Sequence, residues 1–414
     1  MNGLHQQFAE SAKNDAGIGA RVYLDYSAAT PIDEEVLAHM LPFFDRRFGN
    51  ASSIHGDGRR SREIIEEARA IVAGLIGAKQ SEVIFTGSGT EADNLALIGV
   101  ARANRSRGNH IIISAVEHKA VLAAAHALEA EGFTVTVLPV NERGMVSVEE
   151  CMSHIRQETI LISVMYVNNE LGTVLPVRAI ADALAKARRD EFPLLHTDAC
   201  QASNLYSLSV RELGVDLMTV NSSKVYGPIG VGFLYARKGV RLAALVVGGE
   251  QERGLRAGTE SVPQIVGFSR ALGKAQEMRA GEFTRLLELS SFFRSGLQER
   301  IPSIIVNGDP DSRTPSIVHI SVPFVEGESM LLKLDAAGVS VSTGSACSSF
   351  DLRPSHVLMA IGQDADLMHG SIRFSLGRTT SRTELEYVLS VFPDIVSELH
   401  SISALTLTSN SSHV

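Results

Sequence analysis

Val83-Ile84-Phe85-Thr86-Gly87-Ser88-Gly89-Thr90-Glu91-Ala92-Asp93-Asn94 passes from a short apolar run, through a glycine turn, into a helix. Thr90 and Asp93, three residues apart, resemble a capping box and predict a helix start near Thr90. Glycines ahead of a helix N-terminus bare backbone N–H groups, and with the helix dipole these favour a phosphate. Gly87, Gly89 and Ala92 also fit the GxGxxA turn of dinucleotide folds, and a purely structural turn fits the same letters.

The surrounding chain alternates strand and helix from about residue 60 to 250. Ile64, Ile65, Ala68, Ile71, Val72 and Leu75 follow helical spacing, and Gly77 sits where that helix would stop. Short apolar runs recur at Ile111–Ile113, Thr134–Leu138, Ile160–Val167, Leu194–Leu195, Leu217–Val220 and Gly232–Tyr235. Helical stretches at Ala120–Glu131 and Arg178–Arg189 separate several of them. This order predicts an α/β fold with a mostly parallel sheet, covered on both faces, whose ligands bind beyond the strands' carboxyl ends. From about residue 280 the pattern changes. A helical stretch Glu282–Arg300 leads into a strand at Ser316–Val322, a helix at Glu328–Ala337 and a strand at Ser371–Leu376. A smaller α+β domain is expected there.

Three further segments carry chemistry. In His196-Thr197-Asp198-Ala199-Cys200-Gln201, an aspartate at a strand's end suits either a cationic ring nitrogen or the cap of a following helix. In Asn221-Ser222-Ser223-Lys224-Val225-Tyr226-Gly227-Pro228, a lysine lies between a strand and a Gly-Pro turn. Desolvation there would lower its pKa and suit Schiff-base chemistry. A phosphate turn, an aspartate and a lysine, each at a strand's end, are together the partners that pyridoxal phosphate needs. In Val341-Ser342-Thr343-Gly344-Ser345-Ala346-Cys347-Ser348-Ser349, small polar residues around a cysteine predict an exposed loop. Cys347 is the candidate nucleophile. Cys200 lies in the Asp198 segment, and Cys151 is expected to pack on a helix.

Composition narrows the classes. The 414 residues carry 38 Lys and Arg against 47 Asp and Glu, a net charge of −9, with 44% hydrophobic and 21% charged residues. That is globular, and the acidic balance speaks against direct nucleic-acid binding. The only basic cluster, Arg59, Arg60 and Arg62, reads equally as a solvated helix start. Three cysteines without a CxxC pair point to a reduced compartment. Residues 1–20 lack the basic start and apolar run of a secretory leader, and no apolar run nears the ~20 residues of a membrane span. A cytoplasmic protein with no membrane association is expected, and its tail from Ser401 is expected to fray. No His, Cys and carboxylate spacing suggests a metal site, and His55, His319 and His356 read as structural hydrogen-bonding residues.

Tyr23-Leu24-Asp25-Tyr26-Ser27-Ala28-Ala29-Thr30-Pro31, GSGTEADNLAL, Glu117-His118-Lys119-Ala120-Val121-Leu122, VNNELG, TDACQ, SSKVYGP, Gly254-Leu255-Arg256-Ala257-Gly258-Thr259, VEGES, TGSACSS and Arg373-Phe374-Ser375-Leu376-Gly377-Arg378 follow in this order. Together they resemble the cysteine desulfurases of the NifS/IscS type, pyridoxal-phosphate enzymes of the class V aminotransferase group, over roughly residues 22–395. The TGSACSS loop followed by RPSHVL resembles the group with a long cysteine loop.

The resemblance implies a homodimer of the aspartate-aminotransferase fold. Its large cofactor domain would span 32–279, and its small domain 1–31 and 280–414, the latter carrying the Cys347 loop. It implies Lys224 as the Schiff-base lysine, Asp198 on the pyridine N–H, and His118 stacked on the ring and moving protons. Asn169 and Gln201 would approach the phenolic oxygen, with Asn169 also near the substrate. Gly89, Thr90, Asn221 and Ser223 would hold the phosphate, and Thr259 would reach the phosphate of the partner subunit. Arg373 would fork onto the carboxylate of L-cysteine. Cys347 would take the substrate sulfur as a persulfide, leaving alanine, and pass it to an acceptor protein in iron–sulfur assembly, tRNA thiolation or DNA phosphorothioation.

The sequence departs from that pattern at Ser223, where a histidine is usual, and at Asn221, Tyr166 and Glu250. Loss of the imidazole predicts weaker cofactor retention. Competing readings are a selenocysteine lyase or other C–S lyase using the same cofactor, a nicotinamide-dependent oxidoreductase on the GxGxxA letters, and a non-catalytic sulfur-pathway scaffold.

Overall fold

A computed structural model describes residues 21–188, 190–343 and 354–402. Cys347, the first twenty residues and the tail beyond Ile402 lie outside the described residues. The chain forms two compact units. Residues 27–284 and 308–314 make the larger one, and the described parts of 1–26, 285–307 and 315–414 make the smaller.

The smaller unit begins with β1 (Val22–Tyr23). The larger unit is built on a seven-stranded sheet. Its strands are β2 (Val83–Thr86), β3 (His110–Ser114), β4 (Thr134–Leu138), β5 (Thr159–Ser163), β6 (Leu194–Asp198), β7 (Leu217–Asn221) and β8 (Gly232–Ala236), in the order β2-β8-β7-β6-β5-β3-β4. The run β7-β6-β5-β3-β4 is parallel throughout, and β8 is antiparallel to both its neighbours, β2 and β7. The mostly parallel sheet expected from the alternating pattern is therefore present. Strands β2, β3, β5, β6 and β8 are buried along their whole length, which explains their continuous rather than alternating apolar character. Ile84, Ile111, Ile113, Leu161, Leu194, Leu217 and Leu234 pack with Val121, Ala124 and Leu128 of helix Lys119–Ala130 in one core.

Several boundaries differ from those read in the sequence. The run Ile160–Val167 is a strand only to Ser163; beyond it the chain turns back, with a short bridge from Val167 to Val174. The late helix spans Val262–Arg300, twenty residues longer than its apolar periodicity indicated. The helix after the glycine turn starts at Gly89, and its cap is Ser88 rather than Thr90.

The smaller unit continues with β9 (Ile305–Val306), β10 (Ile317–Ser321), β11 (Val339–Ser340) and β12 (Ser371–Ser375). β10 lies between β9 and β12, antiparallel to both, and β1 pairs with β11 in parallel. Its core is aromatic: Phe374 meets Phe293 at 5.1 Å and Phe392 at 5.6 Å, both edge-on.

Candidate active site

Register fixes what can meet at the sheet's edge. Thr86 at the end of β2 faces Gly232, which faces Asn221 at the end of β7, while Asp198 at the end of β6 faces Thr219. The carboxyl ends of β2, β6 and β7 thus open on one margin of the larger unit. The glycine turn follows the first, the Asp198 segment the second and the Lys224 turn the third.

The glycine turn is shaped by contacts on both sides. Ser88 Oγ accepts the Glu91 N–H at 3.1 Å and caps the helix. Glu91 accepts the Gly87 N–H at 2.9 Å and pairs with Arg256 at 2.8 Å. The first-turn N–H groups of Gly89 and Thr90 have no acceptor within their own helix. A Cβ on Gly89 would stand 3.1 Å from Cys200 Sγ and 3.2 Å from Asn221 Cβ, so only glycine lets the turn lie this close to both. Gly232 is equally constrained, since its Cβ would meet the Ser88 backbone at 2.9 Å.

Lys224 ends a short 3-10 turn, Ser222–Lys224, directly after β7. It is half-buried, and its Nζ donates to the carbonyls of Ser27 at 2.7 Å and Ala28 at 2.6 Å. The turn itself is clamped by Thr30. Its N–H and hydroxyl both donate to Ser223 O at 3.0 Å, and its hydroxyl oxygen accepts the Tyr226 N–H at 2.8 Å. Tyr226 is buried with φ at 64°, a left-handed conformation that places the lysine ahead of the Gly-Pro turn. Ser223 is buried, with its N–H toward the Asn221 carboxamide at 3.4 Å.

Asp198 is buried, and its Oδ1 accepts the Cys200 N–H at 2.9 Å. No helix directly follows Asp198 for it to cap; residues 200–205 form a turn, and the carboxylate accepts its first N–H. Gln201 donates to the same Ser27 carbonyl as Lys224, at 2.8 Å. Asn169 and His118 are half-buried, and Thr259 is exposed. His118 caps helix Lys119–Ala130 through Nδ1, which accepts the Ala120 N–H at 3.2 Å.

The fold also gathers residues that the motif spacing did not bring together. One side-chain atom each from Asp93, His118 and Asp198 lies within 4.8 Å of the others. Beneath them His196 is fully buried, with Nδ1 2.9 Å from Ser163 Oγ and Nε2 3.1 Å from Thr219 Oγ1. Burial pulls His196 down to about 4. Asp93 is buried with an Oδ1 that finds no hydrogen-bond partner among the described residues, and burial followed by the Asp198 charge pushes its carboxyl well up. Glu117 is likewise buried. Its Oε1 accepts from Ser114 Oγ at 2.6 Å and Met165 N–H at 2.8 Å, yet burial still raises it to about 8. Cys200 is pushed up by burial and then by Asp198, and Cys151 goes up to about 11 by burial alone, so neither is a ready thiolate.

Arg373 lies in the smaller unit on β12, buried, with Nη2 2.9 Å from Asp25 Oδ1. His55 caps the helix Gly56–Ile76, and Arg59, Arg60 and Arg62 lie exposed in its first two turns. Buried His319 accepts from Asn307 Nδ2 at 2.9 Å.

The dinucleotide reading fails on topology. That turn requires a strand with parallel neighbours, and β2 pairs only with antiparallel β8. The residues fit pyridoxal phosphate instead: a strand-end carboxylate for its ring nitrogen, a strand-end amine for its aldehyde, and a narrow glycine turn at a helix start for its phosphate. Enzymes that carry this cofactor on a lysine of an aspartate-aminotransferase-like fold share that arrangement.

Sequence comparison agrees. The aminotransferase class-V family profile matches residues 22–388. A cysteine desulfurase IscS of Dictyoglomus turgidum is 47% identical over 92% of this chain and 96% of its own length. Among solved structures, a NifS-like protein superposes with a TM-score of 0.85 at 36% identity, over 92% of this chain and 100% of its own. SspA in complex with cysteine gives 0.75 at 33% identity, over 86% and 98%. The chain belongs to the class-V aminotransferase family, among its pyridoxal-phosphate-dependent cysteine desulfurases.

Proposed function

We propose that the chain takes sulfur from L-cysteine, releases L-alanine and carries the sulfur as a persulfide on Cys347 to an acceptor protein. The observation that carries this reading is the placement of Asp198 and Lys224 at the ends of the adjacent parallel strands β6 and β7, with His118 beside Asp198. SspA was solved with cysteine, which supports the same substrate here.

Pyridoxal phosphate, when bound, supplies the sink for the electron pair released at the substrate Cα. Lys224 Nζ would hold the cofactor's aldehyde carbon, and its amine would move the Cα proton. Asp198 keeps the ring nitrogen protonated through a charge-assisted hydrogen bond. His118 would cover the ring and pass protons, and Asn169 and Gln201 would meet the phenolic oxygen. Gly89, Thr90, Asn221 and Ser223 hold the phosphate. Arg373 takes the substrate α-carboxylate in a planar fork. The Cys347 thiolate attacks the substrate Sγ; an S–S bond forms as the C–S bond breaks, the bonding pair stays on Cβ, and Cβ takes a proton so that the carbon skeleton leaves as alanine with the sulfur on Cys347.

Thr259 is exposed, in keeping with a role toward the phosphate of a second subunit. Leu37, Leu41, Phe44, Phe48 and Ile54 are all exposed within one short stretch, as a homodimer surface requires. Both described cysteines are free, which supports a reducing, cytoplasmic compartment. Among the described residues, no helix is long and apolar enough to cross a membrane.

Cys347→Ser tests the assignment. Alanine and sulfide formation from cysteine should fall by about 100-fold or more, with the cofactor absorbance unchanged. Retained sulfur release would remove Cys347 from the reaction. Selenium release from selenocysteine that persists in the variant would favour a selenocysteine lyase.

A further inference from the structure

The open edge of β12 is closed by two chain segments from opposite ends of the sequence. Ser375 donates its N–H to Leu24 O at 2.7 Å, while Arg373 and Ser342 exchange backbone hydrogen bonds of 2.7 and 3.3 Å. Those two segments are joined to each other by one carboxylate. Asp25 Oδ1 accepts from Ser342 Oγ at 2.9 Å and from Arg373 Nη2 at 2.9 Å. The Tyr23 hydroxyl donates to the Asp25 carbonyl at 3.1 Å and steadies the backbone behind it. The Arg373 side chain is only 4% exposed and that of Asp25 18%, so this pair sits largely out of water.

Packing alone fixes the stem of a buried arginine more firmly than the plane of its guanidinium, which a hydrogen-bonded carboxylate can set. Here the anchor is a carboxylate held by its own backbone and by Ser342, on a strand pairing that leaves little slack. We propose that Asp25 is a positioning residue that sets the plane of Arg373 for the substrate α-carboxylate, with Ser342 holding Asp25 in register. The proposal rests on Arg373 being the carboxylate-binding residue. It makes Asp25 a determinant of selectivity for α-amino acids over simple amines, and it places the chain's earliest motif, Tyr23-Leu24-Asp25, in substrate recognition rather than in cofactor binding.

The test compares two amines that differ only by the carboxylate. L-alanine and ethylamine are titrated into holoenzyme, and half-saturation is read from the change in cofactor absorbance, alongside KM and kcat for L-cysteine. Asp25→Ala should weaken alanine about tenfold, the scale of one charge-assisted hydrogen bond, with ethylamine unchanged within about twofold. KM for cysteine should rise in step, with kcat changing far less. Asp25→Glu keeps the charge but moves it by one methylene, and should show the same selective loss if the alanine variant does not fold. Arg373→Ala serves as the reference. If it abolishes the alanine preference while both Asp25 variants retain it, the role given to Asp25 is overturned. Equal weakening of both amines by the Asp25 variants overturns it too. If Arg373→Ala itself leaves the preference intact, the reading of Arg373 falls, and this proposal with it.

Discussion

Ser223 stands between Asn221 and Lys224, buried, with its N–H toward the Asn221 carboxamide, and on the proposed function it offers the phosphate a neutral hydroxyl where an imidazolium would carry charge. A hydrogen bond from a charged donor to an anion contributes roughly 1.5–3 kcal/mol, against about 1 kcal/mol for a neutral one. Ser223→His should therefore tighten retention of pyridoxal phosphate about tenfold, measured by spectral titration of the stripped protein. Unchanged or looser retention would show that the hydroxyl and carboxamide already satisfy the phosphate. Residues of this kind were legible in the sequence because each stands at a strand's end beside a turn. Asp93 and Glu117 were not. Asp93 reads locally as the partner of a capping box with Thr90, and Glu117 as an ordinary acidic residue before a helix. Their burial comes from β6, β7 and the loop after β5 closing over them, which no local spacing encodes. Asp25 was hidden for the same reason: its partners, Ser342 and Arg373, lie more than three hundred residues away.

At the scale of elements, the glycine turn shows how two weak signals were exchanged. Ser88 and Glu91 form the cap, with Glu91 bonded back to the Gly87 N–H, and the Thr90–Asp93 spacing is incidental. Ser88→Ala should cost about 1 kcal/mol of stability, the usual loss of a serine N-cap, and should loosen the cofactor as the turn opens. Thr90→Ala should leave stability nearly unchanged, and chemical denaturation of the cofactor-free protein separates the two. The antiparallel strand β8 has its own part in shaping the turn. Its first residue, Gly232, lets Ser88 lie directly against the sheet, so Gly232→Ala forces the Ser88 backbone from 2.9 Å. Overpacking of this sort costs roughly 1–3 kcal/mol. Its distinguishing mark would be a loss of cofactor affinity larger than that of Ser88→Ala. The alternating pattern foretold the parallel run β3 to β7, since buried parallel strands are continuously apolar. It was silent on the direction of β8, because hydrophobicity is the same for either direction.

Across the whole molecule, buried ionisable groups set opposing slopes of stability against pH. His196 titrates near 4 and His319 near 3 in the folded chain, both held down chiefly by burial, against an ordinary value of 6.5. Below pH 6.5 the unfolded state binds protons that the folded state refuses, so these two groups make stability rise with pH up to about 6.5. Glu117 has the opposite sign. Folded, it keeps its proton to about pH 8, whereas its unfolded value is 4.5. The folded state therefore binds the extra proton, and stability falls as pH rises from 4.5 to 8; Asp93, also raised, adds to the fall. Between 4.5 and 6.5 the slopes oppose each other, and above 6.5 only the carboxyls remain. Thermal unfolding of the cofactor-free protein should thus show a broad maximum between about pH 4.5 and 6.5 and a decline toward pH 8. Glu117→Gln keeps an acceptor oxygen for Ser114 and Met165 but has no proton to lose. Its midpoint should exceed that of the wild type at pH 8 by about 2 °C or more, with little difference at pH 5. Parallel profiles above pH 6.5 would mean that Glu117 is already ionised in the folded chain, with a charge partner strong enough to offset its burial.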